Sequence, residues 1–126
     1  MTPLLFLAIA AAGGLGAACR LFLDGVITTA ATRNALPWAT IVINLTGSFL
    51  LGLVSGLAAG HLLPDPAHLI LGTGFLGGYT TFSAASFETV RLLQERRWTA
   101  GLVNGLGVLA AATAAAGAGL WLGGLV

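Results

Sequence analysis

Residues 72 to 83 read Gly72-Thr73-Gly74-Phe75-Leu76-Gly77-Gly78-Tyr79-Thr80-Thr81-Phe82-Ser83. Each glycine weakens a helix by about 1 kcal/mol relative to alanine. The β-branched Thr80 and Thr81 offer the backbone local hydrogen bonds that compete with the helical ones. This pattern predicts a helix that is interrupted. In lipid the interruption has chemical consequences, because each unpaired N–H or C=O costs several kcal/mol unless something binds it. Carbonyls freed ahead of the break suit a small hard cation. The N–H groups of the resuming half-helix, near Thr81 to Ser83, suit an anion, and the Thr81 and Ser83 hydroxyls add donors. Broken helices at membrane depth mark ion and substrate sites for these reasons.

A second polar feature lies at Asn44, inside the uncharged stretch from Trp38 to Gly60. Its amide must either find a partner or line a polar path. It belongs to a row, Thr40, Asn44, Ser48, Gly52, Gly56 and Gly60, that repeats every four residues and lies on one helical stripe. Small residues in such a row let helix backbones approach closely in lipid. That accounts for the glycines and leaves Asn44 to be explained by function.

The elements that must position these residues are membrane spans. The 126 residues are 57% hydrophobic and 7% charged, against about 25% charged in soluble domains. A span needs roughly 20 apolar residues, and four are expected, at about 3–23, 38–60, 67–87 and 98–126, in a single domain covering 1–126. The third is broken mid-membrane and its end continues as a charged helix to Arg97, with Arg91 and Glu95 spaced to pair. Trp38, Trp98 and Trp121 fall near span ends, where interfacial tryptophans sit. Arg20, near the end of the first span, can reach the headgroups. The start, Met1 to Cys19, lacks the positive segment of a signal peptide and is expected to remain as the first span.

Composition also excludes. A net charge of +1 gives no reason to expect nucleic acid, and one cysteine rules out an intrachain disulfide framework. A proton-coupled multidrug exporter of four spans needs a carboxylate inside the membrane. Asp24 lies just past the first span and Glu88 at the far end of the third, so that reading loses its central residue. A non-transporting assembly subunit leaves Asn44 and the break unexplained, and nothing suggests an enzyme. His61 and His68 flank a proline turn and read as interfacial, and Cys19 as a packing residue. Thr113 in the fourth span has two readings, a pore-lining hydroxyl or one bonded back to its own helix.

Three segments, Gly13-Gly14-Leu15-Gly16-Ala17-Ala18-Cys19-Arg20, Asn44-Leu45-Thr46-Gly47-Ser48-Phe49 and Gly74 to Ser83, resemble, in order, the signatures of the CrcB/Fluc fluoride channels. The resemblance covers nearly the whole chain. It implies a fluoride-specific channel in the cell membrane, expected to be a prokaryotic cytoplasmic membrane, that exports fluoride passively. It further implies an antiparallel, dual-topology-type dimer of all-α subunits with two pores and one central, structural sodium ion. On this resemblance the Gly77 and Thr80 carbonyls hold the sodium, Asn44 and Phe82 line the fluoride pore, and Arg20 corresponds to the arginine ending the first span. The Thr81 and Ser83 hydroxyls extend the set of pore donors. Fluoride is small and tightly hydrated, so its path needs hydrogen-bond donors and positive phenylalanine edges, without a fixed cation that would hold it too tightly.

One position departs from the family pattern. The second pore phenylalanine would stand three residues after Phe82, where this chain has Ala85. A separate clue comes from charge. All five basic residues, Arg20, Arg33, Arg91, Arg96 and Arg97, fall on the side of the loops around 20–37 and 88–97. The positive-inside rule puts that side in the cytoplasm. Two readings stay open: a homodimer, or a subunit of fixed orientation that pairs with a sibling of opposite bias.

Overall fold

A computed structural model describes residues 1–30 and 36–126; Arg33 lies outside the described residues. Helix α1 spans Pro3–Ala30 and opens with a proline, tolerated in the first turn because the missing N–H has no helical partner there. It runs past the expected end near residue 23. Beyond that point the Thr28 hydroxyl donates to Asp24 Oδ1 (3.2 Å) and the Thr29 hydroxyl to the Gly25 carbonyl (2.7 Å), so polar side chains are satisfied within the helix. Helix α2, Trp38–Ala59, ends at Gly60, and His61 turns the chain with φ 60°.

The third crossing is built from two helices in series. Helix α3 covers 65–79: an α-helical turn at Asp65–His68, a wider π-helical stretch at Leu69–Leu76, and a short α-helical end at Gly77–Tyr79. After Thr80 and Thr81 the chain resumes as α4, Phe82–Gln94, of 13 residues. At 1.5 Å per residue α4 rises about 20 Å, too little to cross a hydrocarbon core of about 30 Å alone. Arg96, with φ 60°, turns the chain into α5, Trp98–Gly124, which is π-helical at Val103–Gly107. Among the described residues, α1, α2 and α5 are each long and apolar enough to cross a membrane. The broken third crossing completes an all-helical, four-span arrangement.

The glycines before the break do not break the helix. Gly74 and Gly78 bring α3 against α1, while Gly72 faces Leu51 of α2. A Cβ on Gly78 would run into the Gly13 carbonyl, one on Gly16 into the Phe75 carbonyl, and one on Gly74 would come within 2.8 Å of the Ile9 carbonyl. The opposite pair, α2 and α5, uses the same device: Gly52 and Gly56 face Ala116 and Leu120, while Gly119 and Gly123 face Phe49 and Leu53. In lipid, such backbone proximity supplies the packing that holds helices together. The buried cluster of Ile43, Leu76 and Tyr79, with Leu23, Val54 and Phe75 against it, ties α2 to the end of α3. On α4, Arg91 pairs with Glu88 (2.8 Å) and Glu95 sits nearer Arg97 (3.7 Å). The expected Arg91–Glu95 pair is not the one formed, because a nearer carboxylate lies one turn back.

Candidate functional site

The interruption is narrower than the glycine run suggested. It consists of Thr80 (φ −77°, ψ 158°) and Thr81 (φ −146°, ψ 118°), both extended. Thr80 N–H still donates to the Leu76 carbonyl (3.0 Å), and the Thr80 hydroxyl reaches the same oxygen (3.1 Å). Thr81 N–H leaves the helix altogether. It donates to Oδ1 of Asn44 (2.8 Å), while Nδ2 of Asn44 donates to the Thr81 carbonyl (2.8 Å). The Gly77 carbonyl, which Thr81 N–H would meet in a continuous helix, is thereby released at a helix C-terminus, where carbonyl dipoles converge. Gly77 is exposed and Thr80 half-buried.

The flanks of the break are held from α2. Tyr79 is buried, with its hydroxyl 3.0 Å from Thr46 Oγ1 and its ring stacked on Phe75 at 6.3 Å between centroids. Gly47 packs under Thr80 and Tyr79, where a Cβ would strike the Thr80 methyl. On the other side, Thr81 caps α4. Its hydroxyl accepts from Ala84 N–H (3.2 Å) and lies 3.2 Å from the Ser83 hydroxyl. The remaining α4 N–H groups near Phe82 and Ser83 point a positive helix end toward the break.

A cavity of about 520 Å³ opens beside the break between α2, α4 and α5. Asn44, Ser48, Thr81, Ser86, Thr89 and Asn104 give it a polar lining, and Phe82, Ala85, Leu106 and Leu109 an apolar one. The Thr89 and Asn104 donors are spent on the Ala85 carbonyl and on each other. An anion in this mostly apolar cavity would therefore meet the second Asn44 N–H and the Ser48 and Ser86 hydroxyls, with no cationic side chain in the lining. The expected residues therefore gather in part. Asn44, Thr81 and Phe82 share this cavity, Ser83 adjoins it through the Thr81 hydroxyl, and Gly77 lies at the end of α3 across the break. Arg20 is half-buried on α1, away from this lining. Phe82 is 84% exposed, so its ring faces out of the protomer.

Over residues 7–120 the chain matches the model of the CrcB-like protein, Camphor Resistance (CrcB) family. The chain belongs to the CrcB family. Among its relatives is the fluoride-specific ion channel FluC 1 of Leifsonia xyli subsp. xyli, 59% identical over 99% of this chain and 90% of the relative. FluC 3 of Bifidobacterium longum is 46% identical over 90% of this chain and 96% of its own length. FluC 2 of Mycobacterium bovis is 36% identical over 97% and 93%. Membership agrees with the resemblance carried by the glycine-rich segment, and it places this multi-pass membrane chain among ion channels and not among enzymes.

Within this CrcB chain, sequence reasoning passed over Asn104 and Thr89. Asn104 is 4% exposed. Its Nδ2 donates to Thr89 Oγ1 (2.8 Å) and approaches the Ala85 carbonyl (3.5 Å), to which Thr89 Oγ1 also donates (2.8 Å). The signal was present: an amide inside an apolar span demands a partner, as Asn44 does. Thr113 takes the second of its two readings, its hydroxyl donating to the Leu109 carbonyl (2.8 Å). His68 stands 3.5 Å from the Ser55 hydroxyl, and among the described residues no three His, Cys, Asp or Glu side chains gather as a metal site.

Proposed function

We propose that this chain is a one-domain subunit, residues 1–126, of a dimeric fluoride-specific channel that lets fluoride leave the cytoplasm down its gradient. The observation that carries the reading is the two-residue break at Thr80 and Thr81, which gives each helix end a different task. The C-terminal end of α3 presents released carbonyl oxygen, and Gly77 and Thr80 would hold a structural sodium ion there. A bound sodium supplies fixed positive charge where carbonyl dipoles from two subunits would otherwise oppose one another. The N-terminal end of α4, with Thr81, Phe82 and Ser83, faces the other way and meets fluoride through hydroxyl, N–H and ring edge. Asn44 lines the same path. Arg20 lies within α1, ten residues before its end at Ala30, and is half-buried; from there its charge would favour anions without lying in the path.

The relatives named as fluoride-specific ion channels support the choice of ion. The test is halide efflux from liposomes that contain this chain alone. Fluoride efflux with chloride retained is the expected result; equal passage of both would end the claim of selectivity. A second reading rests on Arg20, Arg91, Arg96 and Arg97, all on chain segments toward one side of the four-span topology. Such a subunit would insert one way and need a partner of opposite orientation. Robust fluoride efflux from the single purified chain excludes an obligate sibling.

A further inference from the structure

We infer that Asn44 is a positioning residue that builds the break, and only secondarily a donor to the ion; the inference deepens the proposed function and rests on that reading for the ion alone. Its carboxamide meets both backbone groups of one residue, accepting from Thr81 N–H and donating to the Thr81 carbonyl, each at 2.8 Å. This pairing also fixes which end of the amide is oxygen, since the flipped amide would set donor against donor and acceptor against acceptor. Thr81 is 8% exposed, so without Asn44 its two backbone groups would sit buried and unpaired.

Three consequences follow from the one contact. Thr81 N–H is withdrawn from the Gly77 carbonyl, which keeps that oxygen free. Thr81 is held extended, and its hydroxyl is then placed to accept from Ala84 N–H and start α4. With α4 started there, Phe82 is turned to the outside of the protomer and Ser83 is brought beside the Thr81 hydroxyl. The amide has two N–H groups, and one is committed to Thr81. Asn44 therefore has a single donor left for an anion in the cavity that it lines.

The test measures amide hydrogen exchange at Thr81 by NMR on the purified, isotope-labelled full-length protein in sodium and without fluoride, alongside fluoride efflux from liposomes. Wild type should protect the Thr81 amide, and N44A should speed its exchange about tenfold or more and abolish efflux. N44D keeps the acceptor for Thr81 N–H but turns a carboxylate oxygen toward the Thr81 carbonyl. With one of the two bonds lost and two acceptors opposed, its Thr81 amide should exchange faster than wild type, by about fivefold or more. Exchange should still be slower than in N44A, because the N–H acceptor remains, while efflux is lost. A general packing defect would not produce this graded order at one amide. Should N44A fail to fold, wild type and N44D still decide the matter. An unprotected Thr81 amide in wild type, or efflux lost in N44A with Thr81 exchange unchanged, overturns the clamp and leaves Asn44 an ion ligand. Thr81 exchange governed by Asn44 in a protein that passes no fluoride keeps the clamp and refutes the fluoride reading instead.

Discussion

Gly47 stands directly beneath Thr80, with no room between them for a methyl group: a Cβ at 47 would overlap the Thr80 methyl and come within 3.0 Å of the Tyr79 ring. Neither neighbour is the free end of a long chain, and Tyr79 is pinned by Phe75 and Thr46. G47A should therefore displace the break itself, at an overpacking cost of about 1–3 kcal/mol. We expect fluoride efflux to fall about tenfold or more in a protein that still inserts in the membrane. G124A, where nothing lies within 4 Å of the added Cβ, should leave efflux unchanged and serves as its control.

Much of this arrangement was legible in the sequence because lipid removes alternatives. Apolar runs gave the spans, and an amide or a β-branched polar pair inside a span had to be satisfied by protein. The location of the break was less legible. Glycine weakens a helix locally, but Gly72, Gly74 and Gly78 lie in or beside a π-helical stretch that stays hydrogen-bonded and packs on α1, so their intrinsic weakness was offset by tertiary contact. The true interruption needed Asn44, 37 positions away in the chain, to replace helical bonds. No local pattern encodes that pairing. The end of α1 was misplaced for a related reason: Thr28 and Thr29 bond back within the helix, which a count of apolar residues does not register.

Asn104 and Thr89 form the second polar joint, between α5 and α4, and they are coupled through the Ala85 carbonyl. N104A removes the donor to Thr89, and T89V removes the hydroxyl that receives it. Each alone should destabilise the protein by about 1–3 kcal/mol, the cost of leaving a buried partner unsatisfied. The double variant should lose clearly less than the sum, with an interaction energy of about 0.5–3 kcal/mol. Unfolding in detergent, followed by tryptophan fluorescence for all four proteins of the cycle, measures this. Strict additivity would mean that the 2.8 Å contact contributes nothing.

Phe82 separates function from folding. With 84% of its surface exposed, its ring adds little to the stability of the protomer, and F82I should shift protomer stability by no more than about 0.5 kcal/mol. Fluoride efflux should nevertheless fall about tenfold or more, because isoleucine has no ring edge to face an anion. Thermal unfolding and efflux measured on the same preparation check both halves. A variant that conducts normally would remove Phe82 from the ion path.

The sodium assignment is tested through the ion, since no side-chain substitution deletes a backbone carbonyl. Replacing sodium by the much larger N-methyl-D-glucamine during purification should shift the protein from dimer toward monomer and lower fluoride efflux. Light scattering after size exclusion reads the first change and liposome efflux the second. Thr80 supplies the control. Its hydroxyl already donates to the Leu76 carbonyl within α3, so T80A should keep both the dimer and its dependence on sodium. If T80A abolished that dependence while leaving the fold intact, the ion would be held by the hydroxyl and the carbonyl assignment would be wrong. If sodium replacement left assembly and efflux untouched, the released Gly77 carbonyl would have some other partner.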